Sequence, residues 1–173
     1  MDYLFTLKYR LPEQESDLDA LAERLGSGGC DDALLGLGQP GRLALEFTRD
    51  AGSAQMALLS AMADVKAAIP GATLVEAAPD FVGLSDVAQV LGLTRQNMHK
   101  LMNRYRHSFP SPVHEGRTTI WRLAQIRSWL HAKGSYDLED SLIELSQATM
   151  QVNIAKDAAM AAPLPVDIVA LLR

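Results

Sequence analysis

Between Thr94 and Arg106 the chain reads TRQNMHKLMNRYR, a run in which amide, imidazole, ammonium and guanidinium groups recur beside an apolar stripe. Met98, Leu101, Met102 and Tyr105 fall at i, i+3, i+4 and i+7, which commits one helical face to a core. At 100° per residue the opposite face carries Gln96, His99, Lys100, Asn103 and His107, with Arg95, Asn97, Arg104 and Arg106 along its margins. Gln and Asn can grip adenine with two hydrogen bonds, and Lys and Arg donate to guanine or to phosphate. These are the side chains that a helix lying in a DNA major groove needs. The competing interpretation is a merely solvated face, since charged faces are common on surface helices.

The flanking sequence predicts the elements that would position this helix. Ser85 can cap a first helix running to Leu91, with Val87, Ala88 and Leu91 inward, and Gly92 supplies the left-handed backbone that ends it. Thr94 caps the second helix. After Phe109, the run PSPVHEGRTTIW predicts two short strands joined at Glu115–Gly116, a small wing with Arg117 and Thr118 near its tip. A third helix is expected from about Leu123. It would bury Leu123, Ile126 and Leu130 with one of the two tryptophans and carry Arg122, Arg127 and Lys133 outward.

The charge distribution agrees with a nucleic-acid partner although the whole chain is acidic, with 16 Lys and Arg against 21 Asp and Glu. From Thr94 to Lys133 there are eight basic residues and one acid, Glu115, a net +7 that leaves −12 for the remainder. All four histidines, His99, His107, His114 and His131, lie in the same segment. Such asymmetry is the footprint of phosphate binding, with acidic flanks that oppose unspecific adhesion. The histidines lack cysteine or carboxylate partners at ligand spacing, apart from Glu115 beside His114, so no metal is expected.

In order, the helix, LGLTRQNMHKLM, FPSPV, GRTTIW and the helix ending in SWL resemble the winged helix-turn-helix of the AlpA and excisionase type, related to MerR DNA-binding domains. The resemblance covers residues 82–133, about a third of the chain. Its most specific features are FPxPV at Phe109–Val113 and the paired tryptophans Trp121 and Trp129. It implies that the helix Thr94–Arg106 enters the major groove and that the wing around Arg117 touches the phosphate backbone. The DNA-contacting set is then Thr94, Arg95, Gln96, Asn97, His99, Lys100, Asn103, Arg104, Arg106, Arg117 and Thr118. Members of this family usually carry no large domain ahead of the module, so the first eighty residues are a departure.

Those residues read as strand, helix, strand, strand, helix, strand. Tyr3–Arg10 alternates between two faces, and Ser16 caps a helix with Leu18, Leu21, Ala22 and Leu25 inward, ended by Gly26. Asp31–Gly36 and Arg42–Thr48 form a hairpin, Ser53–Ile69 a long helix stopped by Pro70–Gly71, and Ala72–Ala77 a last strand. This βαββαβ order is that of the ferredoxin-like split unit. The only local carboxylate pair, Asp31–Asp32, would point to opposite faces of a strand. No nucleophile with a base, phosphate loop or cofactor motif is present, so no enzymatic activity and no cofactor are expected. Cys30, the single cysteine, excludes an intramolecular disulfide, is expected to be inert, and fits a reducing cytoplasm. The N-terminal residues lack a signal-peptide pattern, and no apolar run is long enough to span a membrane.

At the other end, Tyr136–Ala162 contains no proline or glycine and places Leu138, Leu142, Leu145, Thr149 and Val152 at alternating spacings of four and three. That is a coiled-coil seam, expected to form a homodimer, the alternative being a helix packed back on its own chain. Pro163 and Pro165 end the helix, and the apolar tail Val166–Arg173 is expected to dock on a partner or on its own dimer. The expected architecture is therefore α+β: a ferredoxin-like domain (1–79), a winged helix-turn-helix (80–134), a dimerisation helix (135–162) and an apolar tail (163–173). The expected function is sequence-specific binding of double-stranded DNA by a dimeric transcriptional regulator. Two alternatives share its DNA contacts: an antitoxin-like module that binds a protein partner through the front domain or tail, and an excisionase-type recombination factor.

Overall fold

The structure, a computed structural model, describes residues 1–15, 17–36, 38–134 and 139–172. In the front part, β1 (Asp2–Arg10), α1 (Leu18–Ser27), β2 (Ala33–Gly36), β3 (Arg42–Asp50), α2 (Ala54–Ala68) and β4 (Thr73–Ala78) follow the strand and helix order read from the sequence. The four strands form one antiparallel sheet in the order β2-β3-β1-β4. Register explains the alternation: Phe5 faces Phe47 and Leu7 faces Leu45 across the β1–β3 pair, so their side chains share one buried face. Leu4, Lys8 and Arg10 point to the other face and are exposed.

Local chemistry sets the helix ends, in two places differently from expectation. Ser16 lies outside the described residues; the cap of α1 is Asp17, whose carboxylate accepts from the Ala20 N–H at 3.0 Å. Gly26 sits inside α1, which closes one residue after Ser27 at Gly28. Ser53 caps α2, its hydroxyl accepting from the Met56 N–H at 3.2 Å.

Asp31 and Asp32 lie in a turn before β2 rather than in a strand. Asp32 accepts two hydrogen bonds from Arg49, each 2.8 Å, while the same guanidinium reaches Asp64, Ser60 and the Gly29 carbonyl. This cluster is a fully partnered clamp between β3, α2 and the loop after α1. The hydrogen bonds from Arg49 hold the Asp32 carboxyl below the usual range. Cys30 is buried beside it, and burial pushes its thiol up to about 11, away from the reactive thiolate.

The largest difference from expectation is α6 (Asp140–Met160). Leu138 lies outside the described residues, but Leu142, Leu145 and Val152 pack with Ala148 into the core beneath the sheet, against the chain's own strands and α2. The stripe that reads as a coiled-coil seam is therefore used within the chain. A helix of this length beside a four-stranded sheet fills the part of its face that α1 and α2 leave open, and the 3.5-residue repeat does not distinguish that partner from a second copy. Thr149, the polar residue of the stripe, is buried and bonded, and the exposed Glu144 ties the helix to β1 and α2. Thr149 donates to the Pro79 carbonyl at 2.6 Å, and Glu144 accepts from the Tyr3 hydroxyl at 2.7 Å and the Ala54 N–H at 3.1 Å.

A second hydrophobic core, separate from the first, forms around Val82, Val87, Met98, Trp121, Ile126 and Leu130. It is built by β5 (Phe81–Val82), α3 (Leu84–Val90), α4 (Arg95–Arg104), β6 (Trp121–Arg122) and α5 (Leu123–Lys133), with β5 and β6 paired antiparallel. The last element is a short helix, α7 (Val166–Leu171), which buries none of its residues. Among the described residues no helix is long and apolar enough to cross a membrane.

Candidate nucleic-acid interface

The α3–α4 connection is fixed by four residues. Gly83, not Ser85, begins α3, and Asp86 reaches back to accept from the Gly83 N–H at 2.7 Å; Ser85 lies within the first turn. Glycine is required at 92, where φ is +63°. That conformation lets the Leu93 N–H return to the Ala88 carbonyl at 2.8 Å and closes the helix. Thr94 then caps α4, its hydroxyl accepting from the Asn97 N–H at 3.2 Å.

The apolar face of α4 meets the second core as its spacing requires. Met98 is fully buried, and Leu101, Met102 and Tyr105 are half-buried. Every polar residue assigned to the opposite face and margins, Arg95, Gln96, Asn97, His99, Lys100, Asn103, Arg104, Arg106 and His107, is exposed. The helix ends at Arg104, two residues short of the expected Arg106. The only described contacts among the imidazoles here are local: Asn103 with His99 at 3.1 Å, and the Arg106 Nε donating to His107 Nε2 at 3.4 Å. Among the described residues, Arg95, Lys100, Arg104, Arg106 and Arg117 form no ion pair with an acid. No group of three His, Cys, Asp or Glu among them could hold a metal ion.

The aromatic and proline motifs act as a brace for this surface. Phe109 stands edge-on to both Trp121 and Trp129, with ring centroids 6.2 and 5.1 Å away, and Tyr105 stands edge-on to Trp129 at 5.5 Å. Trp121 Nε1 donates to the Pro110 carbonyl at 3.1 Å. The end of α4, the Phe109–Val113 segment and α5 are thereby locked together, which gives the spacing of the two tryptophans a physical reason. Lys133, at the end of α5, lies over the Tyr105 and Trp129 rings at 4.8 and 5.5 Å.

The expected wing is smaller than two strands. A single bridge joins His114 to Ile120, with the Ile120 N–H donating to the His114 carbonyl at 2.9 Å. A loop of five residues, 115–119, replaces the tight Glu115–Gly116 turn, and Arg117 and Thr118 are exposed in it. Glu115, the one acid of the segment, lines a groove with Asn103 and Arg106 between α4 and this loop.

Two basic residues expected to point outward do not. Arg127 is 1% exposed; Nη2 reaches the Glu139 carbonyl at 3.4 Å, while Nε and Nη1 have no partner among the described residues. Burial lowers its pKa. Arg122 pairs with Asp80, which is 0% exposed, and lies over the Phe81 ring at 4.6 Å. Outward positive charge in this module therefore comes from the other six basic residues. The periodicity of α5 places Arg127 beside its apolar stripe of Leu123, Ile126 and Leu130, and α6, which begins after Glu139, packs against that helix.

Sequence reasoning missed the joint between the two cores. Asp80 accepts from Arg122 of the second core and, at 2.8 Å, from Asn153 of α6. Burial pushes the Asp80 carboxyl up, opposed by the Asn153 hydrogen bond and the Arg122 charge. The one available signal was polar Thr149 and Asn153 interrupting an otherwise apolar face.

No curated protein and no solved structure matches the chain. Residues 80–134 match the family described as Prophage CP4-57 regulatory protein (AlpA), which bears out the resemblance carried by the helix pair, FPSPV and the paired tryptophans, for this segment of the chain.

Proposed function

We propose that the protein is a sequence-specific binder of double-stranded DNA that regulates transcription, with α4 as the helix that enters the major groove. The observation that carries this is the exposed face of α4, where base-reading and phosphate-binding side chains stand without acidic partners among the described residues, on a helix whose other face is anchored in a core. Gln96, Asn97 and Lys100, near the start of α4, are suited to base edges; Arg95, Arg104, Arg106 and Arg117 to phosphates. The family match over residues 80–134 supports a regulatory role of this kind. We read the module as a winged helix-turn-helix with a reduced wing, and the front sheet, from its β2-β3-β1-β4 order, as a ferredoxin-like unit that carries no catalytic role. Because helix-turn-helix proteins commonly read paired half-sites, we take the active form to be a homodimer.

Selection of bound sequences from a random duplex pool tests this directly. Enrichment of one motif, lost in Asn97→Ala with Lys100→Ala, is the expected result. Recovery of unenriched sequences, or binding that is insensitive to salt and to Arg95→Ala with Arg117→Ala, would sink it.

A further inference from the structure

His99 and Asn103 stand one turn apart on α4, and both are exposed. The Asn103 carboxamide nitrogen lies 3.1 Å from His99 Nδ1, and the His99 ring has no other hydrogen-bond partner among the described residues. An exposed pair at this spacing adds little to the stability of a helix. What it settles is the position of the ring's proton. A carboxamide nitrogen donates and does not accept, so Nδ1 is the acceptor, and in a neutral imidazole the other nitrogen, Nε2, then carries the hydrogen. His99 is thereby held as a hydrogen-bond donor on the side of the ring remote from Asn103.

We propose that His99 reads a guanine in the major groove, donating from Nε2 to the base N7, and that Asn103 is the positioning residue that fixes this tautomer. The inference rests on α4 being the helix that reads DNA, as proposed above, and gives a role to two side chains of its exposed face that have none there.

The donor selects the base. Guanine alone presents two adjacent acceptors, N7 and O6, with no donor beside them on its edge. Adenine and cytosine present amino groups, which would meet the Nε2 hydrogen with hydrogens of their own, and thymine sets a methyl group beside its single acceptor. Because the ring is oriented before DNA arrives, less rotamer freedom is lost on binding.

The pair also has a place on the helix. Asn103 lines the groove between α4 and the wing loop together with Met102, Arg106 and Thr119. At 100° per residue His99, Asn103 and Arg106 share that flank of α4, whereas Asn97 and Lys100 turn toward the other. The guanine read by His99 is therefore a different base from those that Asn97 and Lys100 meet, on the wing side of the reading helix.

The test uses the full chain and the motif it enriches from a random duplex pool. Guanine is expected at one position of the parent's motif and is lost from that position alone in His99→Ala. Replacing that guanine by 7-deazaguanine, which lacks the N7 acceptor, should weaken the parent about tenfold and leave His99→Ala unchanged. Asn103→Ala should lose part of the same preference, and the double variant should lose no more of it than His99→Ala does. Without DNA, proton–nitrogen correlation spectra of the neutral rings, with His99 identified by its absence from His99→Ala, should show the Nε2–H form in the parent and a larger Nδ1–H share in Asn103→Ala. An Nδ1–H ring in the parent overturns the proposal, as does a preference for adenine or cytosine that His99→Ala abolishes, since Nε2 is then the acceptor. Equal losses to 7-deazaguanine in the parent and in His99→Ala overturn it by assigning N7 to another residue. A pool that yields no motif defeats the function proposed above and this inference with it, whereas a motif indifferent to His99 defeats this inference alone.

Discussion

Asn153 of α6 gives its carboxamide to both backbone groups of Ala77 in β4: Oδ1 accepts from the Ala77 N–H and Nδ2 donates to the Ala77 carbonyl, each at 2.8 Å. A side chain thus takes the place that a neighbouring strand would occupy at the sheet edge, and Lys156 adds a bond to the Val75 carbonyl at 2.7 Å. Satisfying an edge this way blocks strand addition by another chain. It also fixes α6, and through Asp80 the second core, relative to the sheet.

Replacing Asn153 by Leu is therefore expected to destabilise the protein by about 2–5 kcal/mol, since a buried group left without its hydrogen bond costs about 1–3 kcal/mol and more than one is stranded here. Urea unfolding measures this. An effect under about 1 kcal/mol would show that water replaces the carboxamide.

The two internal arginines should behave oppositely. Arg122→Leu leaves Asp80 buried without its cation and is expected to cost about 3–5 kcal/mol. Arg127→Met removes a buried guanidinium with two nitrogens that lack a partner among the described residues, at little cost or with a gain. Thermal unfolding of the two variants side by side checks the contrast, and equal losses would contradict it.

On DNA, Lys100→Ala and Asn97→Ala are expected to relax base preference at single positions, each by about 1–3 kcal/mol of discrimination. Arg117→Ala should weaken all duplexes alike and flatten the plot of log affinity against log salt by about 0.9, the slope belonging to one neutralised phosphate. Binding assays on matched and mismatched duplexes at several salt concentrations separate the two behaviours.

An excisionase-type role would require the protein to bend its site. A regulator that leaves its site straight predicts little dependence of gel mobility on whether the site lies centrally or at the end of the fragment. A strong dependence would move the function toward recombination.

Acid should weaken the front domain through Asp32. Its carboxyl is lowered in the folded chain by hydrogen bonds from Arg49. The stability it contributes is complete above the ordinary carboxylate pKa and is lost as the pH falls through the depressed value. Asp32→Asn is expected to be less stable than the parent at neutral pH, with the gap narrowing as acid protonates the carboxylate. A pH-independent gap would assign the effect to packing.

The sequence by itself determined what depends on near neighbours in the chain. Thr94, Gly92 and the Met98, Leu101, Met102 and Tyr105 stripe were legible because caps, left-handed turns and helical faces are set by residues a few positions apart. The strand and helix order of the front domain and the exposed polar face of α4 followed from the same local rules. Where Arg127 and Arg122 point, and what Leu142, Leu145 and Val152 touch, was decided only by tertiary packing. An amphipathic period states that a face must be covered, not by what. Once α6 settles on the sheet and against α5, Arg127 is buried, and Asn153 and Arg122 converge on Asp80 from positions 73 and 42 residues away. No short-range pattern encodes those meetings, because each is the sum of the whole chain's packing.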